Sequence, residues 1–197
     1  MAHDLARLSR VLSHALRHEP WLYELELDEH GWAGVDAVLA ALRQESPRWR
    51  DLTEEDIADV IRLSSKQRHE LANGRIRALY GHSLPGKLRR ARAAPPDELF
   101  HGTAPGAAQK IRQTGLLPMG RQYVHLSIDR ATAIAVGNRK AAAPVILRVL
   151  AHAAAGAGVA FYAGNEKVWL ADHVPADYID FAEGAAGTDF KAPDAIR

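Results

Sequence analysis

The stretch Arg68-His69-Glu70-Leu71-Ala72-Asn73-Gly74-Arg75-Ile76-Arg77-Ala78-Leu79, residues 68–79, turns on its central Asn-Gly. Both central residues of a two-residue hairpin loop take positive φ, which asparagine and glycine tolerate best. The pattern predicts two short antiparallel strands. On the second, Arg75 and Arg77 share one face while Ile76 and Ala78 take the other, so the hairpin can pack and present guanidinium together.

Upstream of the hairpin the apolar spacing is helical. Asp4 can cap a helix carrying Leu5, Leu8, Leu12, Ala15 and Leu16 at three-to-four intervals, and His18-Glu19-Pro20 stops it. Arg17 and His18 then lie at its C-terminal end. Glu24-Leu25-Glu26-Leu27 alternates like a short strand, and Val35, Val38, Leu39 and Leu42 mark a second helix. Thr53-Glu54-Glu55-Asp56 resembles a capping box with aspartate in the usual glutamate place, opening a third helix with Ile57, Val60 and Ile61 buried. Three helices followed by a hairpin predict a winged helix.

Downstream, the segment 86–96 has few large apolar residues and ends in Pro95-Pro96, which reads as an interdomain linker. Beyond it Leu99 to His101, Tyr123 to Ser127, Val145 to Leu150, Val159 to Tyr162 and Val168 to Leu170 read as short strands. Helices are expected at 104–114 and 129–137. This is an α+β chain: a first domain at 1–92, a second at 97–183, and a flexible tail at 184–197 without periodicity. No internal repeat is visible.

The 197 residues are 47% hydrophobic and 25% charged, the balance of a folded chain. Cysteine is absent, which excludes disulfides, thiolate metal ligands and a thiol nucleophile, and makes the cytoplasm the expected compartment. No stretch approaches 18 uninterrupted apolar residues, and charges recur through the first 18, so neither membrane span nor signal peptide is expected. The net charge of +1 hides an asymmetry. Residues 1–61 hold six basic and thirteen acidic side chains, and residues 62–92 nine basic and one acidic. A concentrated positive segment is the expected footprint of a surface that meets phosphate.

Walker lysine loop, GxGxxG, GxSxG and HExxH are all absent. His14 and His18 stand four apart, but His14 reads as a capping or packing residue, and no metal is expected. What remains unusual is a set of arginines and histidines at element ends: Arg17-His18, Arg77, His82-Ser83, His101-Gly102-Thr103, and Arg121 ahead of His125-Leu126-Ser127.

These residues sit in segments that resemble the RNA 2′-phosphotransferase family. In that family's order they are LSRVLSHALRH (8–18), GWAGVDAVL (31–39), SSKQRHEL (64–71), IRALYGHS (76–83), LFHGT (99–103), GLLPMGRQYVHLS (115–127) and FYAGNEKVWLADHVP (161–175). The resemblance implies an N-terminal winged-helix lobe and a C-terminal ADP-ribosyltransferase-like lobe with a split antiparallel sheet, binding NAD⁺ as co-substrate between them. It implies attack of an internal RNA 2′-phosphate on NAD⁺ with release of nicotinamide. The neighbouring ribose hydroxyl then frees the RNA as ADP-ribose 1″,2″-cyclic phosphate forms, a reaction of tRNA splicing and RNA repair. A monomer is expected.

By the same resemblance Arg17, Arg77 and Arg121 are the phosphate and transition-state arginines, and His18 is the essential histidine, able to protonate the leaving 2′-oxygen. RNA would lie against Arg17, His18, Arg75, Arg77, His82 and Ser83. The NAD⁺ set would be His101, Gly102, Thr103, His125, Leu126 and Ser127, with Gly102 letting backbone approach the nicotinamide amide and Arg139 holding the pyrophosphate. Val168 takes the place where many ADP-ribosyltransferases carry a glutamate; a register change of two residues would instead put Glu166 in that role. Leu79-Tyr80 and Tyr123 depart from the family's usual residues. ADP-ribosylation of a terminal phosphate or a protein, and a DNA-binding regulator, are the competing readings.

Overall fold

The structure is a computed structural model that describes residues 4–181; the expected tail at 184–197 lies outside the described residues. The N-terminal half runs α1 (Leu5–Arg17), β1 (Trp32–Gly34), α2 (Val35–Glu45), α3 (Glu54–Arg62), β2 (His69–Ala72) and β3 (Arg75–Ala78). Local chemistry sets these boundaries. Asp4 accepts from the Arg7 N–H at 3.0 Å to open α1. Thr53 and Asp56 bond reciprocally to open α3, the Asp56 N–H to Thr53 Oγ1 at 3.3 Å and the Thr53 N–H to Asp56 Oδ2 at 2.8 Å. Asn73 and Gly74 take φ of 51° and 68° between β2 and β3. Leu8, Leu12, Leu16, Leu42, Trp49, Ile57 and Ile76 pack into one core, the α1 and α3 stripes meeting the buried face of β3. Burying each of these is worth about 1.5–3 kcal/mol.

One expected strand is absent. Glu24 takes a left-handed φ of 52°, closing a 3₁₀ turn at Pro20–Tyr23, so Glu24 to Leu27 does not run as a strand. The third strand is β1, which pairs with β3, giving the order β1-β3-β2.

The C-terminal half runs β4 (Leu99–Thr103), α4 (Pro105–Thr114), β5 (Val124–Ser127), α5 (Arg130–Gly137), β6 (Val145–Val149), α6 (Ala151–Gly156), β7 (Phe161–Asn165), β8 (Val168–Ala171) and β9 (Ile179–Asp180). Its sheet has the order β7-β8-β5-β4-β6-β9, every neighbour antiparallel. The molecule is thus mixed α and β, with two antiparallel sheets. β4 pairs with β6 along all five residues and β5 with β8 along all four, but β4 and β5 meet only at Phe100 and Ser127. Past that pair the ladder stops, and the strands part at His101 to Thr103 and Val124 to Leu126.

The segment expected to be a linker is tied to both halves. The Arg89 N–H donates to Glu29 O at 2.8 Å, and the Leu88 N–H to Gln122 Oε1 at 3.2 Å. The Ala93 N–H donates to Phe161 O at 2.9 Å, and the Tyr123 hydroxyl to Leu88 O at 2.7 Å. Tyr123 is therefore a strut for this strap, and burial beside Tyr162 pushes its phenol up to about 12.

Candidate functional site

Residues 79–83 thread between the two halves and bring their ends together. The Ser83 N–H donates to Arg17 O at 2.9 Å, at the end of α1, and the Gln122 N–H to His82 O at 3.3 Å, ahead of β5. Gly81, at φ +88°, makes the close approach possible. A Cβ there would lie 3.3 Å from Arg121 Nη1 and 3.5 Å from Arg17 Nη1, so guanidiniums from both halves converge on this one residue. Arg68 joins them: Arg17 Nη2 donates to Arg68 O at 3.1 Å, and the Arg68 and Arg121 charges both act on Arg17.

Arg17 is only 9% exposed, and burial together with Arg68 and Arg121 brings its guanidinium down to about 10. It remains charged at pH 7. The group that favours its charge is Tyr80, whose ring lies 5.2 Å under Cζ. Tyr80 also meets the His125 ring edge-on at 6.1 Å, so one aromatic side chain bridges the arginine cluster and the strand histidine. Among the described residues, the buried Arg17 Nε, His82 Nε2 and His125 Nε2 have no hydrogen-bond partner. A buried polar atom left unpaired costs about 1–3 kcal/mol, so Arg17 Nε, which can only donate, is short of an acceptor.

The imidazoles around it are neutral. Burial first, then neighbouring cations, holds His82 and His125 at about 3, and burial holds His101 at about 4. His101 Nδ1 bonds to His125 O at 2.9 Å across the gap between β4 and β5. A carbonyl only accepts, so the proton sits on Nδ1 and Nε2 is left as an acceptor. His18 Nδ1 bonds to Ser83 Oγ at 2.8 Å, and burial, then Arg17, His14 and Arg121, lower its pKa from 6.5.

His69, under α1, is held at about 3 by burial and by Arg17 and Arg68. A histidine depressed in the folded state binds fewer protons there than in the unfolded chain, so unfolding takes up protons between its folded value and 6.5. Four such groups make stability rise with pH from about 3 to 6.5 and fall on acidification through that window. His69→Leu is expected to reduce the slope of unfolding free energy against pH there by up to about 1.4 kcal/mol per pH unit, as read from denaturant melts between pH 4 and 7.

Arg77 lies elsewhere. In the register His69 opposes Ala78 and Glu70 opposes Arg77. Because His69 faces α1, bonding Ser13 Oγ through Nε2 at 3.3 Å, Arg77 points from the opposite face. There Glu70 takes its Nε at 2.7 Å and Nη2 at 2.6 Å, and Trp32 lies under it at 4.4 Å. Arg75 is likewise paired, to Asp28 at 3.0 Å. Arg89 pairs with Glu29 at 2.9 Å and Lys87 with Asp172, so much of the charge of the basic segment meets carboxylates. Among the described residues no ion pair engages Lys66 or Arg68, and Lys66 feels Arg139 and Lys167 from the C-terminal half. A double-mutant cycle on Arg77→Ala and Glu70→Ala is expected to return a coupling of about 1 kcal/mol in unfolding free energy, the scale of a partly exposed pair.

The remaining candidates divide. Leu126, 1% exposed, belongs to the core, and Thr103 and Ser127 are buried at 3% and 6%. Val168 opens β8 opposite Ser127 and packs with Tyr80 against Tyr123 and Tyr162, whereas Glu166 is exposed in the turn before it. Gly102 has its room filled: a Cβ there would lie 2.0 Å from Ala133 O of α5, so helix packing demands this glycine. Among the described residues no cluster of three or more His, Asp or Glu could hold a metal ion, and no helix is long and apolar enough to cross a membrane. Arg68 and Tyr80 are the site residues that the sequence reading passed over.

Residues 3–173, a span containing every one of these side chains, match the model of the RNA 2′-phosphotransferase, Tpt1 / KptA family. The chain belongs to this family. It is 53% identical over 172 residues to a probable RNA 2′-phosphotransferase of Bacillus thuringiensis subsp. konkukian, covering 87% of this chain and 92% of that one. It is 47% identical over 178 residues to the protein so named in Acetivibrio thermocellus, covering 90% and 97%. With that of Hahella chejuensis the identity is 40% over 185 residues, covering 93% and 97%. As a member of this transferase family the chain is an enzyme, which sets aside the DNA-binding regulator.

Proposed function

We propose that the chain removes an internal 2′-phosphate from RNA at the expense of NAD⁺, in a cleft between a winged-helix lobe at 1–92 and an ADP-ribosyltransferase-like lobe at 97–183. The observation that carries this reading is the convergence of the half-buried Arg68 and the exposed Arg121 on the buried Arg17, whose Nε has no hydrogen-bond partner, with no ion pair to a carboxylate among the described residues, inside a chain of this family. A phosphate monoester is close to a dianion at neutral pH, its second pKa being about 6, so it needs no base to act as a nucleophile. It needs to be held, and planar guanidinium forks suit phosphate oxygens.

The gap between β4 and β5 supports the NAD⁺ assignment, with His101 Nε2 free to accept from a ribose hydroxyl and His125 Nε2 without a partner. When bound, NAD⁺ supplies the ADP-ribosyl group that takes the phosphate, and nicotinamide leaves. Val168, rather than an acid, at the head of β8 suits an acceptor that already carries its charge. Burial first, then Arg17, His14 and Arg121, lowers the His18 pKa; a bound dianion opposes the cationic part of that depression and so favours the imidazolium that would protonate the departing RNA 2′-oxygen. Arg77, clamped by Glu70 and Trp32, is read as holding the hairpin against β1.

The test is an incubation with a 2′-phosphorylated oligonucleotide, with and without NAD⁺. The expected result is 2′-hydroxyl RNA, nicotinamide and a cyclic phosphate of ADP-ribose, all strictly NAD⁺-dependent. Accumulation of an ADP-ribosylated acceptor without cyclic phosphate would overturn the reading.

A further inference from the structure

A groove of about 740 Å³ runs between α1 and α3, and one end of it is formed by Arg17, His18 and Arg68. That volume is in the range of small-ligand sites. Its α1 wall carries Ser9, Arg10, Ser13 and His14, at spacings that place them on one stripe leading to Arg17. Arg10 is exposed and lies two helical turns, about 10 Å, from Arg17 along α1. The opposite wall offers Ser64, Ser65 and Leu63, the last 63% exposed. Among the described residues the lining holds one acid, Asp59, and it is paired with Arg62.

We propose that this groove binds the nucleotides of the RNA that flank the 2′-phosphorylated one, Arg10 meeting a backbone phosphate and Leu63 the face of a base. The proposal rests on the function proposed above, because the occupant is fixed by continuity: a chain whose 2′-phosphate lies among Arg17, His18 and Arg68 has its neighbours at the mouth of the groove. Hydroxyls for sugar and phosphate oxygens, a cation and an exposed apolar side chain are the groups that hold single-stranded RNA. A protein segment would gain little from a wall of serines and arginine.

The experiment compares a 2′-phosphorylated dinucleotide with a hexanucleotide carrying the same phosphorylated step at its centre. Turnover of the dinucleotide by the unmodified chain tests the proposed function by itself. The groove is tested by length: the hexanucleotide is expected to have a kcat/KM at least tenfold higher. Arg10→Glu is expected to erase that preference while leaving dinucleotide turnover unchanged, and Arg10→Lys to retain most of it. In binding titrations, Arg10→Ala is expected to lower the salt slope for the hexanucleotide by about 0.7, one phosphate contact on a single strand. Ser9→Trp, filling the groove without changing charge, is expected to weaken the hexanucleotide alone. Equal effects of Arg10→Glu on both substrates, or on neither, would overturn the proposal. So would a change of oligomeric state on Arg10→Glu, which would give the groove to a second copy of the chain.

Discussion

Arg17→Met is expected to raise the melting temperature by several degrees while lowering turnover of a 2′-phosphorylated RNA at least a hundredfold. The two effects share one cause. Arg17 is buried, charged at pH 7 and beside Arg68 and Arg121, so in the free protein the desolvation of its guanidinium is offset only in part, by Arg68 O and the Tyr80 ring. Replacing buried charge with an apolar chain of similar length commonly stabilises by about 1–4 kcal/mol, and each kcal/mol is worth about 2–4 °C at this size. Its acceptor among the described residues, Arg68 O, also takes the Leu79 N–H at 2.9 Å and is not orphaned by the change. Losing a preorganised donor from a transition-state site costs about 10²–10³ in kcat. Scanning calorimetry and single-turnover assays on one preparation check both. A variant that lost stability along with activity would show that Arg17 is a structural strut, and one that kept activity would remove it from the phosphate site. Arg17→Lys keeps a point charge without the fork and is expected to fall between.

What could be read from the sequence was what local chemistry decides. Asp4, the Thr53/Asp56 box and Asn73-Gly74 act within four residues, and each element they bound is where the pattern puts it. The three residues of β1 carry no period of their own; Trp32 to Gly34 are a strand because β3 lies beside them. The alternation at Glu24 to Leu27 fails because Glu24 turns left-handed after the proline-led 3₁₀ turn. α6 escapes notice because Ala151 to Gly156 has no large apolar residue to mark a face.

The site divides on the same principle. Arg17 and His18 stand at the end of α1, Arg121 and His125 just before and within β5, all in family segments, and were visible. Arg75 and Arg77 do share a face, but what they meet there, Asp28 for Arg75 and Trp32 and Glu70 for Arg77, are partners that a strand period cannot name. Arg68 and Tyr80 enter through the path of residues 79–83 between the halves. A trace of Arg68 was present, since Lys66-Gln67-Arg68 falls in the segment 62–92, which holds nine basic side chains against the single acid Glu70.

Gly102→Ala is expected to destabilise the fold by about 3 kcal/mol or more, a fall in melting temperature of about 6–12 °C or outright failure to accumulate. The added carbon would stand 2.0 Å from Ala133 O, 3.0 Å from Ala133 C and 2.9 Å from Gly137 N, all backbone atoms of α5. No side-chain rotation relieves it; the helix must move. Gly137 is itself pinned, a Cβ there meeting Pro144 at 2.6 Å, so α5 rests on β4 glycine against glycine. Lifting it would carry along Lys140, whose Nζ donates to Gly102 O at 3.2 Å, and Arg139 before it. The competing reason for this glycine, close approach of nicotinamide to the backbone, makes a different forecast: unchanged melting with a raised KM for NAD⁺. The two are separated by a second substitution. Ala133→Gly removes a side chain but leaves the carbonyl in place, so the double variant is expected to melt no higher than Gly102→Ala alone, because the collision is between two backbones.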